Sequence, residues 1–427
     1  AYDRGRRRGG GAPPSATDEH SRPASGIATI GRGRGRAGGT GHCGSVATPN
    51  VGGSAVPVRR SSRLSNPNVH AAADARDMPP PSPRPAALTA SGARSALALL
   101  DQLALGYRHL CQYKCGEAIA VFQGLPLRQK QTGWVLNQIG RAYFERVQYA
   151  DALRAFEQAE TVEPHRLAGM EVHSTILWHL KREVPLCYLA KRALDFERCS
   201  AHACCVVGNC FSLQKEHDTA LKFFQRAIQL QPDFAYAHTL SGHEYSANDD
   251  FEKAMACYRN AIRYDDRHYN AWYGLGNIYY RQEKYEYAEH HLGKALEINP
   301  SSSPLYCYLG MALHANQKTQ KALEMLSMAI SIDQYNPLAR FQKAHVLISL
   351  EEYEAALTEL TQLVEMAPKE GTVFFSLGKV YKKLGQNSQA MLNLNRALDL
   401  SPKDAQQIKA AILHLEKEDN AEEEEEL

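Results

Sequence analysis

This 427-residue sequence predicts an all-α solenoid of about nine stacked two-helix repeats. Three observations carry that prediction. Proline recurs at Pro164, Pro232, Pro300, Pro368 and Pro402, every separation a multiple of 34 residues. At the same period, and in step with these prolines, stand Gly106, Gly140, Ser174, Gly208, Gly242, Gly276, Gly310, Ala344 and Gly378. A second column, Ala118, Ala152, Ala220, Ala254, Ala288, Ala322, Ala356 and Ala390, is broken only by Leu186. Self-similarity at one fixed period marks a repeat architecture.

Each column has a mechanical reason. Small residues stand where two antiparallel helices cross closely. Large apolar residues one turn beyond the alanines (Phe122, Phe156, Phe224, Tyr258, Leu292, Leu326, Leu360 and Leu394) fill the layers between them. Proline ends the second helix. Glycine inside a helix costs about 1 kcal/mol against Ala, so its recurrence implies close backbone packing. The repeats run 99–132, 133–166, 167–200, 201–234, 235–268, 269–302, 303–336, 337–370 and 371–404, the third degenerate at Ser174 and Leu186. Residues 405–417 read as an amphipathic capping helix, and 418–427 as an acidic disordered tail. No repeat buries its apolar face alone, so neighbours stack and their first helices line a concave groove.

Residues 1–95 read as a disordered arm. Its first 90 residues hold 13 Arg and no Lys against five acids, with 14 Gly and 11 Pro, a composition too rich in breakers to fold. The chain's formal charge of +2 hides this asymmetry. RGRRRGGG and GRGRGR resemble arginine–glycine segments that bind RNA, but only Tyr2 interleaves them, so a nucleic-acid partner is not expected. Thr48, Ser61, Ser62 and Ser82 are candidate phosphoacceptors beside Pro or Arg; each phosphate would add about −1.5 to −2 charge.

Several classes are excluded by pattern. There is no run of 18 apolar residues, so no membrane span is expected, and AYDRGRRRGGG has no apolar core of a leader, so no secretory signal is expected. The first residue is Ala rather than Met, as expected of a fragment. The ten cysteines fall at helical spacings and read as reduced thiols. Cys199, Cys204, Cys205 and Cys210 beside His202 lack the paired turns of a structural zinc site, so no metal or other cofactor is expected. No nucleophile constellation stands out, so the chain is expected not to be an enzyme.

The period and columns resemble the tetratricopeptide repeat (TPR) family, which implies a right-handed superhelix. More specific strings are GNCFSLQKEHDTALKFFQRAIQLQPDFAYAHTLSGHEY at 208–245 and RHYNAWYGLGNIYYRQEKYEYAEHH at 267–291. With STILWHLKREVPLCYLA, GWVLNQIGRAYFE and GKVYKKLGQ, they resemble the cell-division-cycle TPR scaffold subunits of the anaphase-promoting complex, over about 95–410. That resemblance implies a non-catalytic part in a multi-subunit ubiquitin ligase controlling the cell cycle, located in the nucleus and also the cytoplasm. It implies as partners the β-propeller coactivators, the small substrate-receptor subunit and other TPR subunits. The first two would dock C-terminal Ile-Arg tails in the groove. Homodimerisation is expected only where an N-terminal repeat block precedes the arm.

An Ile-Arg terminus needs donors for its carboxylate, an acid or aromatic face for its guanidinium, and an apolar slot. Positions three or four apart on the first helices of the fourth to sixth repeats share one face. They supply Asn209, then Tyr236, Thr239 and His243, then Asn270, Tyr273, Asn277 and Arg281. Asn209, His243, Asn277 and Arg281 are the expected donors, and Tyr236 and Tyr273 the stacking faces. Glu244 is the nearest acid, one residue off this face. Two other readings stay open. Another TPR adaptor, such as a sister scaffold or co-chaperone, would clamp its ligand with Lys and Arg. An RNA-associated protein would lose RNA on deletion of 1–90.

Overall fold

The computed structural model of the chain describes residues 86–401 and 405–425, with side chains from 92–401 and 405–415. Among the described residues, those from 98 onward lie in one compact unit, which holds the solenoid, and 86–97, the opening of the first helix, fall in another. All described secondary structure is helical.

Nine helix pairs follow at the expected period. The first is α1 (Ala86–Cys111) with α2 (Cys115–Gln123), followed by a single turn, α3 (Leu127–Lys130). Then come α4 (Gly133–Glu145) with α5 (Tyr149–Val162), α6 (Met170–His179) with α7 (Glu183–Phe196), and α8 (Ala201–Leu213) with α9 (His217–Leu230). The middle pairs are α10 (Ala235–Ala247) with α11 (Phe251–Tyr264), and α12 (Tyr269–Arg281) with α13 (Tyr285–Ile298). The last are α14 (Ser303–Ala315) with α15 (Thr319–Ile332), α16 (Pro337–Ser349) with α17 (Tyr353–Met366), and α18 (Gly371–Lys383) with α19 (Asn387–Leu400). Helix α20 (Ala405–Glu425) packs on the final pair through the buried Ile408 and Leu415.

Two boundaries differ from expectation. Helix α1 begins at Ala86, inside the stretch assigned to the disordered arm. From there the sequence turns to Ala and Leu, good helix formers, and no Pro intervenes until Pro126. Helix α20 continues to Glu425 instead of stopping at 417. Glu and Ala are good helix formers and extend a helix that is already nucleated. The phosphoacceptors Thr48, Ser61, Ser62 and Ser82 lie outside the described residues.

The columns pack as their sizes require. A Cβ on Gly208 would lie 2.3 Å from a ring carbon of Phe224, and one on Gly242 2.5 Å from Tyr258. Glycine there admits the aromatic ring of the second helix. The eight alanines of the second column are fully buried. The degenerate third repeat exchanges sizes: Leu186 takes the alanine place, and Ala190, one turn on, takes the place of the large residue. Both are buried, so the layer stays filled.

A further column joins the helices of each pair. Tyr113, Val147, Lys181, Lys215, Asp249, Glu283, Gln317, Glu351 and Gly385 all have φ between 54° and 71°. The residue after each donates its backbone N–H back to the first helix, as in Lys114 N to His109 O and Gln148 N to Tyr143 O, both about 3 Å. This is a Schellman closure, which needs a left-handed residue. Only the ninth repeat uses glycine for it.

The stack also curls onto itself. The Tyr113 hydroxyl donates to Arg267 O (3.3 Å), and Arg267 Nη2 donates to Cys111 O (2.8 Å). Tyr269 donates to Glu145 Oε2 (2.8 Å), and its ring meets that of Tyr113 edge-on at 5.4 Å. The first and second repeats therefore touch the fifth and sixth.

Candidate peptide-binding cavity

That closure creates an enclosure which a flat groove would lack. Inner faces of the second and third repeats (Phe144, Glu145, Tyr149, Thr175, His179) meet those of the fifth to seventh (Tyr236, Thr239, His243, His268, Tyr269, Asn270, Tyr273, Leu305). The cavity holds about 60 Å³, enough for a few ordered waters. It adjoins a wider cleft of about 670 Å³, with which it shares Glu145, Val147, Ser302 and Pro304.

Five of the expected site residues line this cavity: Tyr236, Thr239, His243, Asn270 and Tyr273. Tyr236 shares a hydrogen bond with Thr175 across repeats, and His243 Nδ1 with the Tyr258 hydroxyl at 2.8 Å. Thr239 donates to Ala235 O, one turn back on its own helix (3.0 Å). Tyr273 is buried against Tyr308, ring centroids 5.0 Å apart, and burial pushes its phenol well above the ordinary value. Asn270 Oδ1 and His268 Nε2 are buried without a hydrogen-bond partner. Burial also holds His268 neutral, its pKa down to about 4.

Three expected residues are not part of it. Asn209 is fully buried, and its amide donates to Ser174 Oγ (2.8 Å) and Thr175 Oγ1 (3.1 Å) on α6. Through Thr175 it braces the cavity wall from behind. Arg281 donates to Ser246 O (3.2 Å) and Asp249 Oδ1 (2.7 Å) and stacks on Phe251, so it ties the sixth repeat to the fifth. Asn277 is buried and lies outside the lining. Contacts with the neighbouring repeat take up the side chains of Asn209 and Arg281, positions that spacing alone assigned to an open groove.

The acid also differs. Glu244 is buried, accepts from Ser212 Oγ (2.7 Å) and meets His217 Nδ1 at 2.7 Å. Instead, Glu145 brings the cavity's carboxylate, and no Lys or Arg lines it. Burial raises the Glu145 pKa, opposed first by the Tyr269 hydrogen bond and then by the Arg141 charge. Around it lie Phe144, with Tyr149 stacked on His179 at 4.6 Å and 7°. Glu145 closes the string GWVLNQIGRAYFE, but nothing local in that string points to a partner 124 residues away. An acid ringed by aromatic faces suits a cation, most of all a planar guanidinium. Among the described residues no cluster of His, Cys, Asp and Glu is placed to hold a metal ion. Nor is any described helix long and apolar enough to cross a membrane.

The stacked pairs make this a tetratricopeptide-repeat protein. Tetratricopeptide repeat models match residues 201–234, 269–302 and 291–324, and a TPR repeat model matches 242–283. A model of the ChAPs (Chs5p-Arf1p-binding proteins) matches 308–422. Cell division cycle protein 27 homolog B of Arabidopsis thaliana is 42% identical over 334 residues, 78% of this chain and 45% of that protein. Anaphase-promoting complex subunit 3 of Schizosaccharomyces pombe is 43% identical over 318 residues, 74% of this chain and 48% of that one. Across its repeats the chain belongs to this family of cell-division-cycle TPR subunits, and it spans less than half the length of these two relatives. The crystal structure of the APC/C hetero-tetramer Cut9-Hcn1 shares the fold, with a TM-score of 0.61 at 17% identity, covering 70% of this chain and 58% of that one.

Proposed function

We propose that this chain is a non-catalytic scaffold subunit of an anaphase-promoting complex, acting in cell-cycle ubiquitin conjugation in the nucleus and also the cytoplasm. Its cavity captures the C-terminal Ile-Arg tails of β-propeller coactivators and of the small substrate-receptor subunit. The observation that carries this reading is the pairing of one half-buried carboxylate, Glu145, with a ring of aromatic faces in a cavity whose lining holds no Lys or Arg. The guanidinium would take the place of the Tyr269 hydroxyl at Glu145 and offer an N–H to the unsatisfied Asn270 Oδ1. The apolar neighbour would lie toward Leu240, Leu305 and Pro304. A chain entering by the wider cleft reaches this point directly. Relatives named for the complex support the assembly. A co-chaperone clamp is disfavoured, because the cavity lacks the Lys and Arg that hold an acidic tail.

Calorimetry with the full chain tests the site. A peptide ending Ile-Arg should bind, and one ending Ile-Glu should not; equal binding of the two would end this assignment. Affinity purification tests the assembly independently, through co-purifying cullin and RING subunits.

A further inference from the structure

Two thiols meet where the third repeat packs on the fourth. Cys187, half-buried on α7, places its Sγ 3.1 Å from that of Cys210, buried on α8. A disulfide spans about 2.05 Å, so about 1 Å of approach joins them. The Gln214 amide lies 3.7 Å from Cys187 Sγ at an exposed contact, so small polar oxidants reach this side of the pair.

We propose that Cys187 and Cys210 are a modification site, a thiol pair that a peroxide converts to a disulfide stapling the third repeat to the fourth. The accessible Cys187 reacts first. Its sulfur takes one oxygen from hydrogen peroxide as the O–O bond breaks, giving a sulfenic acid and one water. The Cys210 sulfur then displaces that hydroxyl, and its proton leaves with it as a second water. Two thiols and one peroxide give one disulfide and two waters. Exposure and contact set the order: Cys187 is half-buried and meets the oxidant, and the buried Cys210, its sulfur 3.1 Å away, resolves it.

The staple would act on the cavity wall. Asn209, the neighbour of Cys210, holds Ser174 and Thr175, and Thr175 lines the cavity. This is also the junction of the degenerate repeat, where an added bond has most to hold.

The test treats the full chain with limiting hydrogen peroxide, blocks free thiols with iodoacetamide, and maps cross-linked peptides by mass spectrometry. The Cys187–Cys210 link should form before any other pair and reverse with dithiothreitol. It should be absent from Cys187→Ser and from Cys210→Ser. The oxidised chain should melt several degrees higher, and the Cys187→Ser chain should show no such rise. Preferential linkage through Cys199 or between two chains would overturn the proposal, as would a Cys187 that stops at sulfinic acid while Cys210 stays alkylatable. Cys187→Ala serves as a second control should the serine variant unfold.

Discussion

Glu145 and Asn209 show how burial assigns different work to residues of similar chemistry. Glu145 is half-buried and faces the cavity, so its carboxylate is open to a ligand. Glu145→Gln keeps the shape and removes the charge. Because charge-assisted hydrogen bonds are worth about 1.5–3 kcal/mol, affinity for an Ile-Arg peptide should fall about tenfold or more by calorimetry. Asn209 has no such access, and its amide joins α8 to α6. Asn209→Ala leaves two buried hydroxyls short of a partner. It should lower stability by about 1–3 kcal/mol in urea unfolding, and weaken peptide binding only through the loosened wall. Helical spacing places Asn209 in the groove, where the structure buries it, and gives no sign of Glu145 in the cavity lining.

Within each helix pair the telling feature is the left-handed turn residue. Eight of its nine places carry side chains that dislike φ near +60°, and Gly385 alone is free of that cost. A Cβ at Gly385 would meet nothing within 4 Å, so substitution there isolates the backbone term. Gly385→Val should destabilise the chain by about 1–2 kcal/mol, read from the shift of its urea midpoint. Gly242 tests the opposite cause: its neighbour Tyr258 is the obstacle, not its backbone angle. Gly242→Ala should cost about 1–3 kcal/mol through displaced packing, and Tyr258→Leu should recover part of it. The small columns were plain in the sequence because size repeats as residue type. The turn column was not, because many residue types occupy one backbone angle there.

Across the whole repeat stack, buried histidines set the acid limit. His173 and His268 are held neutral by burial, with pKa values near 4 against an ordinary 6.5. The unfolded chain takes up their protons first as pH falls. Their contribution to stability is therefore fully present above pH 6.5 and lost as pH falls toward 4. Glu145 works the other way, since its raised pKa favours the folded state at lower pH. The melting temperature should drop through this window, and drop more steeply in Glu145→Gln; a flat profile would contradict these assignments. Contacts between distant repeats form a second cooperative feature. Arg267→Ala removes the bond to Cys111 O, and amide exchange should then speed up in 111–149 and 265–270 together.

The sequence by itself determined the helix pairs, their 34-residue period, the close crossings and the family, because each depends on residue size or pattern at fixed local spacing. It also placed Tyr236, Thr239, His243, Asn270 and Tyr273 on one inward face. Only the tertiary structure decided which of these meet a cavity, that Asn209 and Arg281 are engaged in packing, and that Glu145 supplies the acid. The cavity exists because the second repeat meets the sixth through Glu145 and Tyr269, 124 residues apart. A contact at that separation follows from small rotations summed over several repeats, and no single motif encodes the sum.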